Sequence, residues 1–178
     1  FSTVTPILMG AELRDNFPEV EQMTRYVTGN YVVRKGNLTE QENIHFADPS
    51  FFKVFVFLLL KGNRNTILDA PNAIVLTEAM GLKYFGDPAP VGQTLSIQVG
   101  ESWQNFEVVG VLEKAPSNSS IQYDMIVPFE VYKNLVSERG QRCWTCVFVE
   151  TYAVLRPGTN GAEMKTKAAA FFDGKVSE

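Results

Sequence analysis

The stretch that most constrains the fold covers residues 73–129, because it joins a buried strand, a helix and a hairpin within a short length of chain. An apolar run at 73–76 stops at Thr77 and Glu78, which can cap and charge-match the start of a helix that ends at Gly86. Two runs rich in β-branched and aromatic residues, 94–99 and 106–112, flank a short Gly-containing turn and predict a β-hairpin. We therefore predict a compact α+β unit here.

Before this stretch, two pairs of residues mark helix starts. Thr5 and Pro6, as cap and first helical residue, predict a helix over 6–16. The apolar residues on one face of that helix, which we expect to be buried, are Met9, Leu13 and Phe17. Asp48 and Pro49 form the second helix start. The apolar residues that follow at 51–60 must be buried in the core or meet a partner, and we expect burial.

The remaining elements are predicted from composition and turn residues. Strand composition recurs at 22–28, 31–34 and 43–47, interrupted by Gly-Asn pairs at 29–30 and 36–37, which predicts a small meander. After residue 127 we expect a helix over 128–138, a loop over 137–141, a strand over 146–155 and a closing helix over 161–172.

Composition limits the class of protein. The chain has 178 residues, 45% of them hydrophobic, and a formal net charge of −4 without any charged run. This fits a folded protein with one sizeable core or two small units sharing a sheet. Nucleic acid is excluded as an expected partner, because the 16 basic residues are scattered and are outnumbered by 20 acidic ones.

The longest apolar run, 54–60, is far shorter than the roughly 20 residues that a helix needs to cross a bilayer. We therefore expect no membrane crossing within this sequence. The chain also begins at Phe1 without the charged and apolar regions of a signal peptide. These features predict a soluble fragment excised from a longer protein.

No familiar catalytic or cofactor motif is present. His45 is the single histidine, so a triad or a two-histidine metal site would depend on it, and no second ligand or nucleophile motif stands near it. The sequence lacks nucleophile-elbow, dinucleotide-binding, phosphate-loop and zinc-protease signatures. Asp87, Asp124 and Glu130 are too dispersed for a recognised cation-binding pattern. We predict a protein that is not an enzyme and has no catalytic residue, cofactor or metal.

The two cysteines, Cys143 and Cys146, match the C-x-x-C spacing of thiol–disulfide exchange sites. In such sites the pair opens a helix, whereas here it precedes a predicted strand, in which residues three apart lie roughly 10 Å apart and cannot be bridged. If the pair lies in the preceding turn, a local disulfide can form in an oxidising compartment. Catalysis, a local disulfide and two inert thiols all remain open.

Seven segments, in this order, resemble one known family. They are 18–21, 48–55, 74–78, 83–88, 91–95, 106–112 and 151–155, and the K-Y-F-G, V-G-Q-T-L and V-G-V-L series within them is the most specific part. With these motifs the chain resembles the periplasmic core domain of MacB/FtsX-type ABC transporter permeases, especially the variety found in Bacteroides-like bacteria. The resemblance covers nearly the whole chain.

This resemblance implies a place and an organisation for the domain. It would lie at the periplasmic face of the bacterial inner membrane, between the first and second transmembrane helices of a four-helix permease. It would have two parts: a membrane-proximal α/β subdomain made from residues 1–63 and 128–178, and an inserted β-rich subdomain at 64–127.

The resemblance also implies a function and partners. The domain would transmit ATP-driven movement of its own transmembrane helices to a periplasmic substrate or partner, in efflux, lipoprotein release or cell-envelope regulation. Its partners would be a cytoplasmic ATPase, a second permease copy and a periplasmic or outer-membrane protein. Two alternatives from other classes are a peptide or small-molecule sensor, which predicts a concave apolar pocket, and a thiol oxidoreductase, which predicts Cys143 at a helix start.

Overall fold

One mixed β-sheet runs through the part of the chain that the computed structural model describes, residues 4–177. Within these residues the sheet has nine strands. They are β1 Val4–Thr5, β2 Val20–Lys35, β3 Leu38–Ala47, β4 Leu59–Lys61, β5 Ala73–Thr77, β6 Thr94–Val99, β7 Ser102–Leu112, β8 Met125–Pro128 and β9 Val149–Leu155. The helices are α1 Met9–Asn16, α2 Phe51–Val54, α3 Glu78–Phe85, α4 Phe129–Lys133, α5 Glu138–Gln141 and α6 Gly161–Ser177. The predicted α+β class is confirmed.

Six of these strands close on themselves into a ring. Following the hydrogen-bonded pairs, β2 joins β3, β3 joins β8, β8 joins β5, β5 joins β7, β7 joins β6, and β6 returns to β2. The remaining strands extend the sheet outward, with β9 and then β1 beside β2, and β4 beside β7. The 16-residue β2 makes this possible, because its first part pairs with β9 and its second part belongs to the ring.

The apolar side chains are distributed over three clusters. Cluster one takes alternate side chains from every strand of the ring, among them Val33, Ile44, Phe46, Leu76, Ile97, Phe106 and Met125. Cluster two takes side chains from the opposite faces of five of these strands, all except β6, and is covered by α2; it includes Phe51, Phe52, Val75, Leu112 and Ile126. Cluster three lies under α1 and α6 and contains Phe17, Val20, Met23 and Met164. This alternation is the pattern expected of strands that are buried on both faces.

A register shift in β7 reverses which face of the strand its even-numbered residues occupy. Between the Ile74–Val108 and Val75–Gly110 pairs, β7 has one more residue than β5. Phe106 and Val108 before the extra residue belong to cluster one, whereas Leu112 after it belongs to cluster two. A larger residue does not fit at the position of Gly110 without a shift of β4, because a Cβ there would lie 2.9 Å from the backbone oxygen of Lys61.

The opening stretch folds largely as predicted. The run at 73–76 forms β5, Thr77 has the extended backbone of an N-cap, and α3 ends on the left-handed Gly86 (φ 68°). The Thr77 hydroxyl makes no capping hydrogen bond. The hairpin is confirmed, with a tight turn at Gly100 (φ 62°), although β7 begins at Ser102, four residues before the predicted start.

The predicted meander is wrong. Gly29 and Asn30 do not turn, since they pair with Ile44 and Asn43 in the middle of β2 and β3. The Gly36–Asn37 pair does turn, with Gly36 at φ 57°, so the segment is one long hairpin. The Tyr31 ring packs over Gly29, since a Cβ there would lie 2.7 Å from Cε2 of the ring.

At the N-terminal end of the described chain, the predicted helix start is wrong. Thr5 lies in β1, where its hydroxyl donates to the Val149 carbonyl (2.9 Å), so it caps nothing. Helix α1 begins at Met9, after Leu8. Phe17 is buried as expected, Leu13 is partly buried against it, and the fully buried residue within the helix is Gly10.

Towards the C-terminal end, the helix predicted over 128–138 is too long. Helix α4 ends at Lys133, and Ser137 starts a separate short helix, α5, by accepting a hydrogen bond from the Gly140 amide. The predicted loop at 137–141 is therefore helical. Strand β9 begins at Val149 rather than at 146, and α6 continues beyond 172 to Ser177.

The division into 1–63 with 128–178 and 64–127 stays a prediction. All nine described strands share hydrogen bonds in one sheet, and the six-stranded ring takes strands from both predicted parts. The predicted boundary at 63/64 falls just after β4, and the one at 127/128 falls within β8.

Candidate functional site

Within the described residues, no group of three or more His, Cys, Asp or Glu side chains could hold a metal ion. The three dispersed acids have separate local contacts. The Asp87 carboxylate accepts from the Ala89 amide, the Asp124 carbonyl accepts from the Thr77 amide, and Glu130 pairs with Lys133. No helix among residues 4–177 is both long enough and apolar enough to span a bilayer.

His45 belongs to β3, and its buried side chain lies between β2 and the segment that precedes β8. Its Nδ1 is 2.5 Å from the Tyr26 hydroxyl and 3.1 Å from the Thr28 hydroxyl, and the Tyr26 hydroxyl donates to the Gln122 carbonyl (3.1 Å). Burial lowers the pKa of His45 to about 4 and raises the pKa of Tyr26 to about 12. Both side chains are therefore neutral at pH 7, and they join strands rather than form a nucleophile–base pair.

The Arg25 side chain contacts three separate segments of the chain, and it lies where β2 passes from β9 to the ring. Its guanidinium contacts Asp48 through Nη2–Oδ1 (2.7 Å) and Nε–Oδ2 (2.9 Å). Its Nη1 donates to the Ile7 carbonyl (3.4 Å), and its Cζ lies 4.0 Å from the centre of the Phe129 ring. One side chain thus joins the end of β3, the segment between β1 and α1, and the start of α4.

The structure gives Asp48 a role that differs from the predicted one. Its side chain does not cap α2, which follows Ser50 and has no side-chain cap. Instead Oδ2 accepts from both the backbone amide (2.7 Å) and Nε of Arg25. The role of Arg25 could not be predicted from sequence, because a single arginine in a strand does not indicate a carboxylate 23 positions away. The only signal was that Asp48 belongs to one of the family-like segments.

Two cavities adjoin Arg25. One, of about 330 Å³, lies beside the Arg25–Asp48 pair, and its wall also includes Arg14, Lys53 and Asp69. The other, of about 390 Å³, lies between α1 and α5. Charged and polar residues outnumber apolar ones in both walls.

The loop at 142–148 contacts both β1, the first described strand, and α6, the last helix. The Phe148 amide donates to the Thr5 carbonyl (3.1 Å). On the other side, the Trp144 ring lies 5.8 Å from the ring of Phe172 in α6, and Phe172 stacks on Phe17. This loop therefore joins elements that lie near opposite ends of the sequence.

Cys143 and Cys146 lie in this loop, with their sulfur atoms 1.90 Å apart in a disulfide that encloses Trp144. Cys143 comes after the end of α5, and its amide donates to the Gly140 carbonyl (3.4 Å) in the last turn of that helix. The helix start that the thiol oxidoreductase alternative requires is absent at this pair. The geometry favours a local disulfide, which stays a proposal.

An exposed apolar row lies at the edge of the sheet. Val56 (92% exposed), Leu58 (58%) and Leu60 (39%) face solvent, while the alternating Phe55, Phe57 and Leu59 pack on cluster two. The expectation that the whole run at 51–60 is core is therefore wrong for every second residue after Phe55. We call Val56, Leu58 and Leu60 the edge row.

Comparisons with known proteins are consistent with this architecture. The family model described as MacB-like periplasmic core domain matches residues 2–171. No curated protein matches the chain. A domain assigned to a permease of Porphyromonas gingivalis has the same fold, with a TM-score of 0.76 at 24% identity over 93% of this chain and 75% of that one.

Two further structures share the fold at lower identity. The periplasmic region of MacB from Actinobacillus actinomycetemcomitans has a TM-score of 0.73 at 13% identity, over 98% of this chain and 75% of that one. The extracellular domain of the noncanonic ABC-type transporter YknZ from Gram-positive bacteria has a TM-score of 0.68 at 17% identity, over 99% and 87%. The family match extends over nearly the whole chain. The chain therefore belongs to the family of MacB-like periplasmic core domains and is the periplasmic domain of an ABC transporter permease, a component of transport.

Proposed function

We propose that this domain transmits movement of the permease's transmembrane helices, driven by ATP hydrolysis on a cytoplasmic ATPase, to a substrate or partner in the periplasm. The work done in this way would be efflux, lipoprotein release or cell-envelope regulation. The assembled transporter would also contain a second permease copy and a periplasmic or outer-membrane protein.

The observation that carries the proposal is the position of β2. Its first part, together with β9, α1 and α6, belongs to the group of elements formed by the two ends of the chain. Its second part belongs to the closed ring. A strand of 16 residues extends about 50 Å at the usual rise per residue. Movement of the terminal elements would therefore reach the ring through one continuous strand.

The contacts of Arg25 support the same proposal. They lie where β2 enters the ring, and they fix the segment after β1 and the start of α4 to the end of β3. A closed ring and a buried, bidentate ion pair both resist local deformation. The ring would therefore follow the terminal elements as one body instead of absorbing their movement.

A distance measurement in the full transporter tests this proposal. We would place one fluorophore at Asn37→Cys, in the exposed turn between β2 and β3, and a second at Arg139→Cys, in the exposed α5. With the transporter in vesicles that carry an acceptor lipid, we expect ATP to change the distance from the Asn37 label to the membrane. The distance between the two labels within the domain should stay constant.

The matched control is the same labelled permease with an ATPase that binds but does not hydrolyse ATP. If the Asn37 label keeps its distance to the membrane through the whole ATP cycle, the domain does not move with the helices and the proposal fails. If the distance within the domain changes instead, transmission through a rigid β2 is wrong.

A further inference from the structure

Helix α6, the last described element, is held to the fold by few side chains. Among its residues 161–175, Met164 is the single fully buried one, while Ala168, Phe171, Phe172 and Lys175 are partly buried. The others in this range face solvent. Elements with few buried apolar contacts open at a low cost in free energy. Each remaining contact of α6 therefore matters for its position.

Trp144 supplies one of these contacts from the loop at 142–148. Its ring lies 5.8 Å from the Phe172 ring, and Phe172 stacks on Phe17 at a ring separation of 6.1 Å. Within residues 4–177, these are the two rings outside α6 that contact Phe172. If Trp144 moved away, Phe172 would lose one of these two neighbours, and the C-terminal part of α6 would be held less firmly.

The disulfide fixes the backbone that carries Trp144. On one side of Trp144 the Cys143 amide donates to the Gly140 carbonyl, and on the other side the Phe148 amide donates to the Thr5 carbonyl. Between them, the amides of residues 144–147 form no backbone hydrogen bond in the part of the chain that the structure describes. The bond between Cys143 and Cys146 is therefore the main constraint on this segment and on the position of Trp144.

The position of the pair allows the bond to open and close in the folded domain. Cys143 and Cys146 are only partly buried, and Thr145 and Val147 beside them are exposed, so a dithiol in solution can reach the sulfur atoms. The chain has no other cysteine, which excludes wrong pairing within it. Because only two residues separate the two thiols, they stay close after reduction and can form the bond again.

We propose that the Cys143–Cys146 bond is a redox-sensitive link, which fixes α6 to the rest of the domain when it is closed and loosens the C-terminal part of α6 when it is open. A thiolate of a dithiol reductant attacks one sulfur, breaks the bond and forms a mixed disulfide. The second thiol of the reductant then displaces the cysteine of the domain. The domain gains two electrons and two protons as two thiols, and the reductant leaves as a disulfide.

The link would regulate the movement described above, so this inference rests on the proposed function. In that proposal α6 belongs to the terminal elements whose movement reaches the ring through β2. With the bond closed, α6 would move together with the sheet. With the bond open, part of the movement of α6 would be lost before it reaches β2.

Hydrogen–deuterium exchange of the purified domain, followed by mass spectrometry, tests the proposal. The oxidised domain is compared with the domain reduced by dithiothreitol, and alkylation of free thiols confirms the state of each sample. In peptides that cover α6 we expect exchange to be about three- to tenfold faster after reduction, the effect of losing one aromatic contact. At the same labelling times β2 and β3 should stay protected in both samples. Oxidised glutathione should restore slow exchange in α6.

Variants separate the link from a general loss of stability. Cys143→Ser combined with Cys146→Ser should exchange like the reduced domain and should not respond to dithiothreitol. Trp144→Ala should speed exchange in α6 with the disulfide intact, whereas the conservative Trp144→Phe should not. Trp103→Ala is the matched control and should leave α6 unchanged, because Trp103 is the other tryptophan of the chain and lies exposed (38%) on β7.

Several results would overturn the proposal. One is a bond that dithiothreitol does not reduce in the folded domain, and another is exchange in α6 that reduction does not change. Faster exchange of β2 and β3 together with α6 would mean that the bond supports the whole fold instead. Catalysis of insulin reduction by the domain would make the pair an oxidoreductase site. None of these measurements requires ATP-driven movement, so their outcome is distinguishable from a failure of the proposed function.

Discussion

Asp48 Oδ2 accepts hydrogen bonds from both the backbone amide and the side-chain Nε of Arg25, at 2.7 and 2.9 Å, while Oδ1 accepts from Nη2 at 2.7 Å. The two side chains are only 12–13% exposed. This pair fixes the end of β3 to the position where β2 leaves β9. An ion pair of this kind holds the two strands in one relative position. Either partner alone would be a buried charge without compensation.

Removal of the carboxylate should therefore cost far more than removal of a similar surface acid. We expect Asp48→Ala to lower the free energy of unfolding by about 3–5 kcal/mol, measured by urea denaturation. The control is Asp15→Ala, because Asp15 pairs with Arg14 on the surface, with side chains 58% and 63% exposed. That change should leave the free energy of unfolding nearly unchanged, because solvent screens an exposed ion pair. Equal effects of the two changes would contradict a structural role for the Arg25 contacts.

The disulfide loop offers a second prediction. With Cys143 and Cys146 both replaced by serine, we expect the free energy of unfolding to fall by about 2 kcal/mol, since the bond closes only a short loop of the unfolded chain. Trp144 emission should also change, because the loop holds this ring against Phe172. Reduction of the wild-type domain with dithiothreitol should produce the same two effects.

The matched control for that experiment is dithiothreitol added to the serine variant, which should change nothing. Free thiols in the untreated wild-type protein, detected by alkylation and mass spectrometry, would show that the disulfide does not form. Rapid exchange of the bond with glutathione would instead revive the oxidoreductase alternative.

The parts of the fold that could be predicted depend on signals close together in sequence. Helix α3 follows β5 directly and ends at a glycine in the left-handed conformation, so both of its ends are encoded within ten residues or so. The hairpin of β6 and β7 likewise depends on a turn at Gly100. Such elements need no knowledge of distant contacts.

The features that could not be predicted depend on contacts between distant residues. Gly29–Asn30 has the composition of a turn, yet hydrogen bonds to β3 hold it in a strand. Asp48–Pro49 has the composition of a helix start, yet the carboxylate binds Arg25. The edge row was predicted to be core because apolar composition cannot show that β4 ends the sheet. In each case tertiary structure overrides a correct local propensity.

The hydrogen bonds of Arg64 predict that this residue protects the sheet edge at β4 from self-association. Arg64→Ala would leave the Phe52, Phe55 and Phe57 carbonyls without their donor and open an apolar edge to a second chain. We expect concentration-dependent oligomers in sedimentation velocity where the wild type does not form them. Arg139→Ala, a change of the same kind on the exposed α5, is the control and should leave the sedimentation profile unchanged.

The oligomers should also disappear when Val56→Ser and Leu58→Ser are added to Arg64→Ala, since these changes remove the apolar side chains beside the opened edge. Oligomers that persist in the triple variant would place the contact elsewhere. A wholly monomeric Arg64→Ala protein would show that Arg64 has no protective role.

The burial of His45 predicts that the free energy of unfolding falls as the pH is lowered below about 6.5. Burial lowers its pKa in the folded protein to about 4, whereas the unfolded chain titrates at the ordinary value of about 6.5. Between these values the unfolded state binds the extra proton, so the contribution of His45 is complete above pH 6.5 and is lost as the pH falls towards 4. The difference between the folded and unfolded pKa values corresponds to at most about 3 kcal/mol in the free energy of unfolding. Urea denaturation at intervals from pH 7.5 to about 4.5 measures it.

His45→Gln separates this effect from the titration of carboxylates, because His45 is the single histidine of the chain. Glutamine keeps a donor and an acceptor beside Tyr26 and Thr28, so the variant should fold, with a lower stability at pH 7. Between pH 6.5 and 5 its stability should change much less with pH than that of the wild type, since carboxylates titrate mainly below this range. The same slope in both proteins would mean that His45 is accessible to protons in the folded state, contrary to its buried contacts with the two hydroxyl groups.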